Sequence, residues 1–251
     1  MKKTIHITLQ GKGGVGKSYL SSLLYQYLQE TYPEEKFIGL DTDPNNTTFV
    51  SIKKIEALFL DLFDDNEKID ERKFDQMIEL FFSKPDHNFV VDNGATSFLP
   101  LISYLKENEI FNMLSEQFHL IVHIPITGGQ AQDDTIKAMQ QLIEAFKGTC
   151  NFVIWINEYF GKIIDKKGKT FEEMEVYTQN KKYISGIVYL PEMNEKTFGK
   201  DLEQMTKAKK TFKEVDTEKE FTLMTKQRLR IYKRKIFDSL SLINLNGEDK
   251  K

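Results

Sequence analysis

Two lysines, one hydroxyl and a set of carboxylates carry the chemistry this sequence could do. Lys12, Lys17 and Ser18 stand in the run Gly11-Lys12-Gly13-Gly14-Val15-Gly16-Lys17-Ser18. Residues 5–9 before it alternate apolar and polar like a strand, and residues 19–28 after it are apolar at helical spacing. The glycines therefore sit in a strand-to-helix turn, the setting in which G-x-x-x-x-G-K-[ST] cradles phosphates. Glycine opens turn conformations that bring backbone N–H groups close to a polyphosphate, and the following helix points its positive end at the same groups. Lys17 would reach the β- and γ-phosphates and the Ser18 hydroxyl would bind Mg²⁺. The bland alternative is a glycine-rich turn with no ligand. Every fixed position is filled and both flanks fit, which favours the phosphate.

The acids lie at the ends of apolar runs. Residues 36–40 end at Asp41-Thr42-Asp43-Pro44-Asn45, and residues 88–92 end at Asp92. Carboxylates at the C-terminal ends of strands stand where ligands bind in open α/β sheets. Asp92 is placed to reach Mg²⁺ through water, or simply to cap the next turn. Asp41 and Asp43 serve the phosphate site or form the turn before Pro44. Asn157 closes a further apolar run, 151–157; its amide both donates and accepts, so it could read a base edge. Glu158-Tyr159 follow it, so no N-K-x-D motif of the GTPase kind is present.

With its second lysine, Lys12, the loop resembles the deviant Walker A ATPases of the ParA/MinD family. The resemblance implies that Lys12 crosses a dimer interface to the partner's nucleotide. It implies that Asp43, in a D-x-D-P switch with Asp41 in support, touches the magnesium shell and orients the attacking water. It also implies that Asn157 pairs with adenine. On that pattern Gly11, Lys12, Gly13, Gly14, Val15, Gly16, Lys17, Ser18 and Tyr19 hold ATP or ADP, and Ser18, Asp43 and Asp92 hold Mg²⁺. Lys12, Lys17 and Asp43 would be the catalytic set: a lysine in trans stabilises transferring phosphoryl charge as an arginine finger does.

Further stretches resemble one branch of that superfamily, the TraL proteins of conjugative plasmids. They are Leu9-Gln10, Asp41 through Phe49, Val91-Asp92-Asn93-Gly94-Ala95-Thr96-Ser97-Phe98, Thr127-Gly128-Gly129-Gln130-Ala131, Val153 through Asn157, Tyr177 through Lys181 and Met224 through Leu229. Asn93-Gly94 departs from the wider family's usual turn after Asp92 and matches this branch. The likeness covers nearly the whole chain and implies a nucleotide-binding protein of a conjugative-transfer region.

The elements that must position these residues follow from the pattern. Strands are predicted at 5–9, 36–40, 88–92, 120–126, 151–157 and 184–190, with helices over 70–83, 100–106, 133–146 and 171–182 and a charged helical remainder over 195–245. Residues 47–65 have no clean assignment, and 162–169 read as an exposed loop or hairpin. Apolar strands alternating with helices predict an α/β fold: a three-layer, twisted, mostly parallel sheet covered by helices on both faces. One domain is expected over 1–245, with a polar tail at 246–251.

The 251 residues carry Lys plus Arg 35 against Asp plus Glu 38, a net charge of -3, which argues against a uniformly basic nucleic-acid coat but not a local patch. A lone cysteine, Cys150, excludes an intramolecular disulfide and is read as an inert thiol. An iron–sulfur reductase of this superfamily is disfavoured for the same reason. His6, His87, His119 and His123 are scattered and read as packed or hydrogen-bonded, and Trp155 as core. No signal peptide or membrane span is recognised, so a cytoplasmic protein is expected.

Residues 221–242 carry Lys226, Arg228, Arg230, Lys233, Arg234 and Lys235 interleaved with apolar residues. Two readings stand: a surface for DNA phosphates or, less favoured given the polar tail, a membrane; or a packing helix with a solvated basic face. The functional expectation is a homodimerising, Mg·ATP-dependent ATPase switch acting in conjugation or partition, with DNA or a transfer protein as partner. The alternative is a nucleotide-bound DNA-binding scaffold with little turnover. The double-lysine loop speaks against a small-molecule kinase.

Overall fold

A computed structural model describes residues 2–43 and 45–247. Pro44 of the expected switch and residues 248–251 of the expected tail lie outside the described residues. In chain order the elements are β1 Lys3–Thr8, α1 Lys17–Thr31, β2 Phe37–Asp41, β3 Leu58–Phe59, α2 Lys73–Ser83, β4 Asn88–Asp92, α3 Phe98–Glu107 and α4 Ile110–Ser115. They continue with β5 Phe118–Thr127, α5 Gln132–Phe146, β6 Asn151–Asn157, α6 Glu175–Asn180, β7 Ile184–Tyr189, α7 Lys200–Lys207, α8 Phe212–Thr217 and α9 Leu223–Ser241.

All seven strands pair in parallel, in the order β3-β2-β4-β1-β5-β6-β7. The six expected strands are present, and the sheet is wholly rather than mostly parallel. The seventh, β3, comes from the stretch without an assignment. Its two residues are exposed at the sheet edge, too short to show a period. The expected helix over 171–182 is broken into short turns around α6, where Thr170 and Glu173 form a capping box.

Alternate residues of each strand feed two cores. Ile5, Ile7, Phe89, Val91, Val122 and Ile124 pack under α2 to α6. Val90, Ile121, Val153 and Trp155 pack under α1 and α7 to α9. That two-sided burial is why the strands read as unbroken apolar runs. Because β1 lies between β4 and β5, the chain leaves it toward one half of the sheet and later fills the other. Ligands bind at the C-terminal ends of the strands flanking such a switch point, and the Gly11–Ser18 run follows β1 there. No helix among the described residues is long and apolar enough to cross a membrane.

One polar chain runs through the second core. The Trp155 indole N–H donates to Nδ1 of His123 (3.0 Å), and Nε2 of His123 lies 3.0 Å from Nδ1 of His6. An indole only donates, so His123 carries its proton on Nε2 and donates it in a hydrogen bond to His6 Nδ1. Burial pushes His6 down to about 3, and pushes His123, which also faces His6, well below the ordinary value. Both rings are neutral when folded and become protonated near pH 6.5 when unfolded. Their contribution to stability is therefore complete above pH 6.5 and falls as pH drops toward 3, by about 2 kcal/mol per histidine at pH 5. In a proton NMR titration, two of the four histidine rings are expected to show no shift change down to pH 4. Titration of all four near pH 6.5 would contradict the buried chain.

Candidate functional site

The loop between β1 and α1 is built on two left-handed glycines. Gly14 has φ +74 and Gly16, at the N-cap of α1, has φ +98, so both need a residue without Cβ. Gly11 allows a different close approach: a Cβ there would stand 2.8 Å from the Phe98 ring. The first helical N–H groups of α1, at Lys17, Ser18 and Tyr19, have no intrahelical acceptor, while Leu20 N–H bonds Gly16 (2.9 Å). A phosphate is the partner such a terminus accepts.

Lys17 is buried, and its Nζ donates to the Lys12 carbonyl (3.1 Å) across the mouth of the loop. Burial lowers its pKa, while the Asp92 and Asp43 carboxylates oppose that shift. Asp92 is fully buried at the end of β4. Its Oδ1 accepts from Ser21 (3.0 Å), and its Oδ2 has no hydrogen-bond partner. Burial raises it to about 7, with Asp41 adding to the shift and the Ser18 and Ser21 hydroxyls and Lys17 opposing it.

A buried carboxylate oxygen with no partner, beside a serine at a helix N-terminus and a second aspartate, is an oxygen donor set that fits a divalent cation. The residues present thus fit Mg²⁺, which typically keeps waters and phosphate oxygens in its shell. Ser18, Asp43 and Asp92 would hold it.

Asp43 is half-buried; its Oδ1 accepts from the Asn45 N–H (3.0 Å). Asp41 supports the turn: its carboxylate accepts from the N–H of Asp43 (3.1 Å) and of Val50 (3.0 Å), and burial raises it to about 6. The Asn93-Gly94 turn has a steric reason. A Cβ at Gly94 would meet the Asp43 carboxyl at 2.9 Å. Asn93 is stitched in by Thr42 (3.1 Å) and Ser97 (3.0 Å).

The structure thus brings Lys17, Ser18, Asp43 and Asp92 together. Other expected residues are differently engaged. Asn157 donates to the Val15 carbonyl (3.1 Å) and accepts from the Tyr159 N–H (3.2 Å), so its amide braces the loop from β6. The two bonds use one of the amide's two N–H donors and one of its oxygen's two acceptor sites, so a donor and an acceptor remain for a base edge. The Tyr19 hydroxyl donates to Tyr232 on α9 (3.0 Å), which leaves only its backbone N–H toward a phosphate. Lys12 pairs with Asp134 in the first turn of α5 (2.9 Å), both partly exposed.

Three contributors escaped the sequence reading. Asp134, Ser21 and Gln10 act across the fold, Gln10 by donating to the carbonyls of Pro125 (2.8 Å) and Thr135 (3.2 Å). An acid in a helix's first turn gives no signal that it holds a lysine 122 positions away.

The basic run of α9 is mostly engaged inside the protein. Arg228 pairs with Asp201, Arg230 with Asp216 (2.7 Å) and Lys233 with Glu30 (2.6 Å), while Lys226 donates to the Asp216 carbonyl (3.1 Å). Leu229, Tyr232, Ile236 and Leu240 are buried beneath. Of the two readings of this segment, the packing helix describes its geometry.

No protein-family model matches the chain. Across 91% of its length the chain superposes on 95% of a chain of the MinC:MinD cell division complex of Aquifex aeolicus, with TM-score 0.51 and 15% identity. The likeness shows the fold, that of a P-loop protein, with the Gly11–Ser18 loop after β1. Two TraL proteins of Escherichia coli are each 40% identical over 237 residues, which is 94% of this chain and 96% of theirs. The chain belongs to the TraL family.

Proposed function

We propose that the protein is a Mg·ATP-dependent switch that dimerises on ATP, hydrolyses it slowly and acts in conjugative transfer or partition. The observation that carries this reading is the convergence of Lys17, Asp43 and the partnerless Asp92 oxygen under a left-handed glycine loop. Mg²⁺ bound there would neutralise phosphate charge. Lys17 leaves the Lys12 carbonyl for the phosphates, and the α1 N–H groups hold their oxygens. Asp43, at the mouth, orients the attacking water, since phosphoryl transfer needs alignment and charge stabilisation more than covalent help. Single-turnover hydrolysis at saturating Mg·ATP tests this role: Asp43→Ala is expected to hydrolyse bound ATP at least about 100-fold more slowly than the wild type, as for loss of a residue that acts in the transition state. Equal rates would remove Asp43 from the chemistry.

Lys12 completes the reading as the group presented to a second copy. Its ion pair with Asp134 then opposes dimerisation and must open. An exposed pair of this kind contributes little, because water and salt screen it. One such pair opens in each copy, so Asp134→Ala is expected to tighten the ATP-bound dimer in sedimentation equilibrium. Weakening instead would place Asp134 within the assembled interface.

A further inference from the structure

Between β6 and the capping box at Thr170 the chain makes an excursion, residues 158–170, at the C-terminal edge of the sheet. Its tip is a built hairpin rather than a loose loop. Ile164 and Thr170 bridge antiparallel. The Asp165 carboxylate accepts from the backbone N–H of both Lys167 and Lys169 (2.8 Å each), and Gly168 turns the chain at φ +77. The base is clamped to α5, since the Gln132 side chain donates to the Ile164 carbonyl (2.7 Å) and accepts from its N–H (3.2 Å).

This frame presents Lys166, Lys167 and Lys169 to solvent, and their ammonium groups make no ion pair among the described residues. The nearby carboxylates hydrogen-bond elsewhere; Asp165 attracts Lys167 and Lys169, and Glu173 attracts Lys169, without a direct ion pair. Glu158 holds Lys162 (2.7 Å), Glu173 accepts from Thr170 (2.8 Å), and Glu172 accepts from the Tyr189 hydroxyl. The contrast with α9 lies in direct pairing: there Arg228, Arg230 and Lys233 meet carboxylates, and here Lys166, Lys167 and Lys169 make no ion pair among the described residues. At the foot of the same excursion Tyr159 and Phe160 are 75% and 54% exposed, with ring centroids 4.9 Å apart, edge to face. Exposed rings and directly unpaired lysines carried on one excursion supply the two parts of a surface for unpaired nucleotides: flat faces for bases and cations for phosphates. Paired bases in a duplex offer no open face to such rings.

We propose that residues 158–170 dock single-stranded nucleic acid, with phosphates on Lys166, Lys167 and Lys169 and bases on Tyr159 and Phe160. The surface is distinct from α9 and needs no bound ATP.

The test is fluorescence anisotropy with an oligo(dT) strand, with and without Mg·ATP. Three phosphate contacts predict that affinity falls roughly 20-fold between 50 and 200 mM salt. The Lys166→Ala/Lys167→Ala/Lys169→Ala variant is expected to lose nearly all of that salt dependence. Tyr159→Ala/Phe160→Ala should weaken binding at least about fivefold with the salt slope kept. Arg230→Ala/Lys233→Ala should bind like the wild type. Wild-type affinity in the triple-lysine variant, equal affinity for a duplex of the same length, or no binding at 50 mM salt would each overturn the proposal. Binding without nucleotide separates its fate from that of the ATPase reading.

Discussion

Lys17→Ala is expected to lower the affinity for ATP and ADP by at least about 100-fold in calorimetric titration, with no loss of thermal stability in the free protein. A charge-assisted hydrogen bond to a phosphate oxygen contributes about 1.5–3 kcal/mol, and an ammonium between β- and γ-phosphates makes more than one. Stability is predicted to hold because the lysine gains little from the fold alone. Burial lowers its pKa despite Asp92 and Asp43, and its one hydrogen bond is to the Lys12 carbonyl at 3.1 Å. A variant that bound nucleotide within fivefold of the wild type would mean that the loop cradles no phosphate.

The second large effect is expected where two backbones meet without side chains between them. Gly128 follows β5, and a Cβ there would lie 2.2 Å from the Gly161 carbonyl oxygen and 2.7 Å from that of Lys162. Its φ of -80 is open to any residue, so the constraint is the close approach of two backbones. No side chain can swing away to relieve it. Gly128→Ala is expected to cost about 3 kcal/mol or more in urea denaturation, in the range of severe overpacking. The loss should arise by pushing the 158–170 excursion away from α5. A change below about 0.5 kcal/mol would mean that the two segments do not touch.

The sequence and the structure agree where a local pattern has a single physical meaning. The Gly11–Ser18 run has one favourable geometry between a strand and a helix, so its place in the fold was legible. Asp92 was legible as the end of an apolar strand. The parallel sheet was legible because strands buried on both faces lose their alternation. What could not be read depends on partners distant in the chain. The Lys12–Asp134 pair, the His6–His123–Trp155 chain and the hold of Asn157 on Val15 each join segments more than thirty residues apart. Neither propensity nor spacing encodes them. The basic run of α9 shows the same limit: its cations looked available until the folded chain placed Asp201, Asp216 and Glu30 beside three of them. Lys166, Lys167 and Lys169, in a segment read as an exposed loop or hairpin, are the ones that make no ion pair among the described residues, whereas Lys162 beside them is held by Glu158 and Glu192.

The central claim is that ATP joins two copies through Lys12. Molar mass by light scattering, measured with ADP and with ATP plus Mg²⁺ for the wild type and for Lys12→Ala, tests it most directly. The expected result is a monomer with ADP, a dimer with ATP plus Mg²⁺, and a monomer in both conditions for Lys12→Ala. A wild-type mass indifferent to nucleotide, or a Lys12→Ala variant that dimerises on ATP as the wild type does, would contradict it.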